Sequence, residues 1–279
     1  MTFDELRLIF NRALKYSFNL RKNAVVFGVL SLAGLLFVFF RSLSIGAGRW
    51  LSLSLTFLPI FLGAGLLLSL GVFLIRMYHD EIKGKPIGIK ALFSKSWDVI
   101  LGSSYFSIPI VLLYLILWMI LGIFVLLSEI PLLGPFFYAI LAFGPFLINF
   151  LSLVLCILSG ALLFFVAPSI ALRGLNALKL SQTLTARFKD DAFTNIFLAI
   201  VGFLPFALML FFLMLAAEMS GKLAFNPPQY PAFAALQWFF MMIPFAALLA
   251  PAVTFFFNFS AEAHVMMKNR LKSEPNPQK

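Results

Sequence analysis

Long runs of apolar residues without a charged side chain alternate with shorter polar segments along this chain. Because an α-helix rises about 1.5 Å per residue, about 20 apolar residues cross the hydrocarbon core of a bilayer. The runs have about that length and predict an all-α fold, a polytopic bundle of six transmembrane helices. The predicted spans are residues 24–40, 50–75, 105–127, 146–166, 193–217 and 232–258, in a single transmembrane domain, 1–259, that is followed by a basic cytoplasmic tail, 260–279.

The number of spans depends on residues 130–172, an uncharged stretch that is too long for one helix. If it crosses the bilayer once, 18 of the 21 Lys and Arg residues lie on one side, in segments 1–22, 76–98, 173–191 and 260–279. Short loops rich in Lys and Arg stay in the cytoplasm. The sequence therefore predicts six spans with both termini cytoplasmic, and a re-entrant or interfacial piece at 130–144 that does not cross.

Composition agrees with a membrane protein, since 62% of the residues are hydrophobic and 11% are charged. Soluble domains carry about 45–50% apolar and about 25% charged residues. The net charge of +10 does not indicate nucleic-acid binding, because the predicted topology already requires the basic excess on one face. Anionic lipid headgroups are the partner that such a face attracts. Cys156 is the single cysteine, so no intramolecular disulfide is possible.

A basic amphipathic helix is predicted before each pair of spans, at about 4–20, 87–98 and 176–188. The first and third share the pattern A-L-K-x-S-x-x-L, at 13–20 and 177–184, and a looser copy lies at 91–97. This spacing predicts three repeats, each an amphipathic helix plus a hairpin of spans. Such helices lie in the headgroup region with the apolar stripe towards lipid. We expect Lys15, Lys95 and Lys179 to contact headgroups there, the alternative being that the helices merely extend the spans.

The repeated unit resembles a bacterial superfamily, above all in residues 177–184, Phe188 and the span 193–217. That superfamily groups the membrane domain found on some glycerophosphodiester phosphodiesterases with YciC-like inner-membrane proteins. Ser96-Trp97 matches its Ser-Trp pair, whereas Ser181-Gln182 lacks the tryptophan. The resemblance implies a six-helix fold in the cell inner membrane and no catalytic activity.

Residues for polar chemistry are scarce, since the predicted spans contain no charged side chain. This disfavours an ion-coupled transporter, which needs such groups within the membrane. The cluster His79-Asp80-Glu81 is predicted to be a solvated turn after the second span, and His264 has no second histidine near it. The chain has none of the common metalloprotease, hydrolase or P-loop motifs. We therefore expect no catalytic residue, metal or cofactor.

Prolines inside the spans indicate where a cavity can form, because each frees a backbone carbonyl. Pro244 and Pro251 lie two turns apart on one face of the last span, and with Asn149 they are the predicted cavity lining. The leading hypothesis is a non-enzymatic module that interacts with lipids, a partner membrane protein or a second copy. The alternative is a transporter or facilitator for an uncharged or lipid-like substrate.

The predicted topology can be tested with fusions to alkaline phosphatase and a fluorescent protein. We expect fusions at Gly46 and Ser220 to report the outside, and fusions at Gly84 and Gly174 to report the cytoplasm, because of the 18-to-3 distribution of basic residues. A cytoplasmic signal at Ser220 is incompatible with six spans.

Overall fold

The structure is a computed structural model that describes residues 2–47, 49–84, 88–131, 134–219 and 231–273. Within these ranges every regular element is helical. A 3₁₀ turn, Tyr105–Ser107, joins α4 to α5, and a π-helical turn, Leu162–Val166, joins α7 to α8. The α-helices are α1 (Phe3–Lys15), α2 (Leu20–Leu43), α3 (Arg49–Ile82), α4 (Ile89–Ser104), α5 (Ile108–Ser128), α6 (Gly134–Leu141), α7 (Gly144–Ala161), α8 (Ala167–Arg173), α9 (Ala177–Met219) and α10 (Pro231–Ser273).

Six helical segments in the described ranges are long and apolar enough to cross a bilayer. They are Leu20–Leu43, Ser54–Ile82, Ile89–Ser128, Phe146–Arg173, Asp191–Met219 and Phe233–Arg270. The chain is thus a multi-pass membrane protein, and the predicted six-span, all-α class is confirmed. Helix α6, in the stretch predicted not to cross, is only about 12 Å long at the usual helical rise. Residues 132 and 133 of that stretch lie outside the described ranges.

Helix α3 lies at the centre of the bundle and packs against α2, α4, α5, α7, α8 and α10. Its approach to α10 depends on Gly71, where an added Cβ would lie 2.2 Å from Cε1 of the buried Phe257 ring. Towards α5, the hydroxyl of Tyr114 donates to the Ser54 carbonyl oxygen over 2.7 Å. Small residues at such crossings let backbones approach closely, which is how helices gain contact area in lipid.

Helix α10 continues to Ser273, well beyond the predicted end of the last span at 258. Residues 252–264 are all buried, since α1, α2, α3, α8 and α9 pack against α10. The first part of the predicted tail, 260–273, is therefore a continuation of this helix, and residues 274–279 lie outside the described ranges. The predicted span ended early because charged residues such as Glu262 interrupt the apolar run. In the structure these residues have polar partners, so the helix stays buried beyond that point.

Local hydrogen bonds cap the N-terminus of helix α1. The Thr2 side chain accepts a hydrogen bond from the backbone N–H of Glu5, and the Glu5 carboxylate accepts one from the N–H of Thr2. This reciprocal capping box satisfies two backbone donors that a helix start leaves free. The bond from the Thr2 N–H also lowers the pKa of Glu5.

The apolar stripe of α1 packs on protein. Ile9 and Ala13 are buried, and the Phe10 ring centroid lies 5.0 Å from that of Phe255 and 6.2 Å from that of Phe259, both on α10. The sequence predicted that this stripe faces lipid headgroups, but it faces α10. The difference arises because the continuation of α10 provides an apolar protein surface that the sequence did not reveal.

The other two predicted amphipathic helices differ from α1. Helix α4 runs through the 3₁₀ turn into α5 and lies along α3, where the Ser69 hydroxyl donates to the Ile100 carbonyl oxygen over 2.9 Å. It thus fits the alternative of an extension of the following span. Helix α9 breaks at Asp191, which has φ −151° and ψ 76°, and the Asp191 carboxylate caps the next segment by accepting from the N–H of Thr194.

The docking of α1 on α10 can be tested by comparing two adjacent substitutions. We expect Ile9→Asp to lower the thermal stability of the detergent-extracted protein clearly more than Leu8→Asp, because Ile9 is buried and Leu8 is 56% exposed. Thermal unfolding of both variants, with membrane insertion checked first, measures the difference. Equal losses would contradict docking on α10.

Candidate functional site

Two features of the structure are candidates for a functional site, and they lie at opposite ends of the bundle. We call the end that carries α1, the end of α3 and the last turns of α10 the basic end, and the end that carries the α2–α3 connection the opposite end. A network of buried charged and aromatic side chains lies at the basic end. A cavity lies at the opposite end, between α2 and α10.

The network is centred on Lys22, near the start of α2, whose side chain is 0% exposed. The Lys22 ammonium pairs with the Glu81 carboxylate near the end of α3, and Asn19 Nδ2 donates to Glu81 Oε1 over 3.1 Å. Lys22 Nζ also lies 5.8 Å from the ring centroid of Tyr16 and 5.3 Å from that of Tyr78. A carboxylate and two aromatic rings thus replace the water that an ammonium group loses on burial.

A second carboxylate extends the network to α1 and α10. The Tyr78 hydroxyl donates to Glu262 Oε1 over 2.7 Å, and Arg12 Nη1 lies 3.4 Å from Glu262 Oε2. Four further contacts connect helices at the same end: Thr254 to Asn23, Asn258 to the Ala13 carbonyl, Arg76 to the Ala171 carbonyl, and Ser169 to His264. The basic end is therefore held by specific polar contacts between α1, α2, α3, α8 and α10.

This network is not predicted by the sequence pattern. Glu81 belongs to the segment predicted as a solvated turn, but α3 continues through His79 and Asp80 to Ile82. Glu262 and His264 belong to the predicted tail, yet both are buried. One weak signal was available, because Lys22 and Glu81 flank the first two predicted spans on the same side and carry opposite charges.

The cavity at the opposite end has a volume of about 670 Å³, within the range of small-molecule sites. Its lining is largely apolar and includes Phe37 and Val38 of α2 and Met241, Met242 and Phe245 of α10. It narrows at Gly34, where an added Cβ would lie 1.8 Å from the sulfur of Met242. At this end, α2 and α10 are therefore separated by the cavity. They come into contact at Gly34, where the missing side chain leaves room for Met242.

Arg41 is the charged residue in the cavity lining. Its guanidinium carbon lies 5.7 Å from the ring centroid of Trp238, a cation–π distance. The ion pairs among the described residues do not include Arg41. Ser44, Ser52 and Gln237 add polar groups to the same lining.

The residues predicted as sites do not come together in the described part of the structure. Lys15 on α1 and Lys95 on α4 are exposed, and Lys15 Nζ lies 6.0 Å from the Tyr16 ring. Lys179 lies in α9, but its side chain is outside what the structure describes. Of the predicted cavity residues, Asn149 and Pro251 are half-buried and Pro244 is exposed, and none of the three lines the 670 Å³ cavity.

Comparison with protein-family models, curated proteins and solved structures finds no match to this chain. Among the described residues, no group of three or more His, Cys, Asp or Glu side chains is placed to hold a metal ion.

The Lys22–Glu81 pair makes a prediction for stability. We expect Glu81→Leu to lower the free energy of unfolding by about 3–5 kcal/mol, because it leaves the Lys22 ammonium buried without its carboxylate. The double variant Lys22→Met/Glu81→Leu should recover much of this loss, since it buries no charge. Thermal or denaturant unfolding in detergent measures both, with the exposed Lys83→Met as control. A double variant as unstable as Glu81→Leu would show that the pair is not the cause.

Proposed function

We propose that this protein is a non-enzymatic inner-membrane module that binds a lipid molecule in the cavity between α2 and α10. The observation that carries the proposal is the cavity itself, whose walls are largely apolar and in which Arg41 is the one charged side chain among the described residues. Against the apolar part of these walls, a polar metabolite would lose water without gaining hydrogen bonds. A lipid chain loses nothing there and keeps its polar end near the cation.

The position of the cavity supports a ligand that comes from the bilayer. Helix α2, which forms one wall, is only sparsely buried in the bundle, and Phe37 in the cavity lining is 43% exposed. In a membrane protein such side chains contact lipid tails. The cavity therefore adjoins the hydrocarbon phase, and a lipid reaches it by lateral movement rather than through water.

The orientation belongs to the same proposal. If the basic end faces the cytoplasm, as the 18 of 21 basic residues favour, the cavity lies at the level of the outer leaflet. Exposed Lys15 and Lys95 then lie on the cytoplasmic face, where they suit contacts with anionic headgroups, as was also expected of Lys179. The three-unit repeat and membership of the superfamily that the sequence resembles are part of this proposal.

A facilitator is the second candidate, and the contacts below the cavity weigh against it. A path from the cavity towards the basic end along α2 and α10 would have to open the Gly34–Met242 contact. It would then meet the hydrogen bond between Thr254 and Asn23 and the charged network beyond it. This arrangement favours a site that holds a ligand over a continuous path.

The proposal can be tested by filling the cavity with a larger side chain at Gly34, where the cavity ends. Gly34→Leu should push the Met242 side chain into the cavity, because even a Cβ at position 34 would overlap it. Gly28→Leu is the matched control on the same helix, since a Cβ there meets nothing within 4 Å. We expect native mass spectrometry of the gently extracted protein to show one retained lipid in the wild type and in Gly28→Leu, and at least severalfold less in Gly34→Leu.

Equal retention in all three, with insertion and thermal stability intact, would contradict lipid binding in this cavity. A retained protein instead of a lipid would favour the partner-binding form of the module.

A further inference from the structure

We propose that the cavity is specific for a phospholipid and that Arg41 binds the phosphate of its headgroup. This inference rests on the proposed lipid-binding function and adds the chemical class of the ligand. It commits to a lipid phosphate, with the acyl chain lying between α2 and α10 below Arg41.

The first support is the unbalanced charge of Arg41. Two of the 11 acidic residues, Glu129 and Glu218, belong to segments at the opposite end, and neither forms an ion pair with Arg41. Residues 220–230, which the structure does not describe, contain no Asp or Glu. By contrast, the buried ammonium of Lys22 at the basic end has a carboxylate partner, Glu81. Arg41 is thus a cation for which the protein's described part supplies no anion.

The second support is the position of the Arg41 side chain. Its guanidinium carbon lies 5.7 Å from the ring centroid of Trp238, and this cation–π contact holds the group at the cavity mouth. A guanidinium carries five N–H donors in a fixed planar arrangement, and these bind phosphate oxygens in pairs. The Gln237 side-chain amide, in the same lining, offers two further donors. A fixed fork of donors suits a tetrahedral phosphate better than an uncharged headgroup.

The third support is the polarity along the cavity. Arg41 and Gly34 are seven residues apart on α2, about 10 Å at the helical rise. Between them the wall consists of Phe37 and Val38, and α10 contributes the flexible side chains of Met241 and Met242. A cationic mouth above an apolar slot about two helical turns deep matches the polarity of a phospholipid. A free anion would leave the slot empty, and a neutral lipid would leave the cation without a partner.

A simpler role for Arg41 is an anchor at the membrane surface. It lies in the last turn of α2, where a positive charge is favoured by the helix dipole and a long side chain can reach the headgroup region. An anchor needs no Trp238 and no cavity, and its removal should not change which lipid the protein retains. The two roles therefore predict different results.

The experiment measures headgroup preference with lipids of zero net charge, so that the basic end does not contribute. Wild-type protein in mixed micelles is offered phosphatidylcholine and diacylglycerol of the same acyl chains, and retained lipid is counted by native mass spectrometry. We expect the wild type to retain phosphatidylcholine roughly tenfold over diacylglycerol, the scale of one charge-assisted hydrogen-bonded contact. Arg41→Gln should abolish the preference, and Arg41→Lys should restore part of it.

Arg21→Gln is the matched control, because Arg21 is an exposed arginine on the same helix at the basic end. It should leave the preference unchanged. An Arg41→Gln variant that keeps the wild-type preference would overturn the phosphate site but not lipid binding. Retention of neither lipid by the wild type would overturn the proposed function itself. Displacement of the lipid by millimolar inorganic phosphate would also overturn the inference, since it would identify a site for a free anion.

Discussion

The burial of Lys22 constrains how the helices of this protein meet. Its ammonium group is removed from water, and the cost of several kcal/mol for burying an ion is offset only if a counter-charge lies in contact with it. Glu81 meets that requirement and thereby fixes the register of α2 against α3. Tyr78, one helical turn before Glu81, lies against the same ammonium and donates to Glu262, which brings α10 and α1 into the arrangement. The packing of the basic end follows from these contacts.

The two ends of the α2–α10 interface are held by different forces. At the basic end, a hydrogen bond between Thr254 and Asn23 adjoins the charged network. Towards the opposite end, the helices rely on apolar contacts, which in lipid gain stability only from close fit. The two helices pack tightly at Gly34 and Met242. From there towards the opposite end they no longer pack against each other, and the cavity lies between them. An open site at one end is compatible with a stable bundle because the other end holds the helices together.

Much of the fold could be predicted from the sequence, because spans depend on apolar length and on the placement of basic residues. The first predicted span, 24–40, lies within α2, and all six predicted spans have counterparts in the structure. The network could not be predicted, since a charged residue such as Glu262 ends an apolar run unless its partner is known. An apolar stripe on α1 was predicted, but α10 as the surface against which Ile9 and Ala13 are buried was not. The cavity lining could not be predicted for a related reason. A proline in a span indicates a possible bend, but it does not indicate which helix–helix interface leaves a cavity.

Helix α10 connects the two features, and its internal prolines lie in the stretch between Met242 and Thr254. Trp238 at the cavity and Glu262 in the network are 24 residues apart, about 36 Å along a helix, which exceeds the ~30 Å hydrocarbon core. The two features therefore lie near the two headgroup levels of the bilayer. Pro244 and Pro251 fall between Met242, at the cavity, and Thr254, the first polar contact towards the network. Each lacks the N–H that would bond to the preceding turn, so α10 forgoes two backbone hydrogen bonds in this interval and nevertheless continues as one helix from the cavity to Glu262.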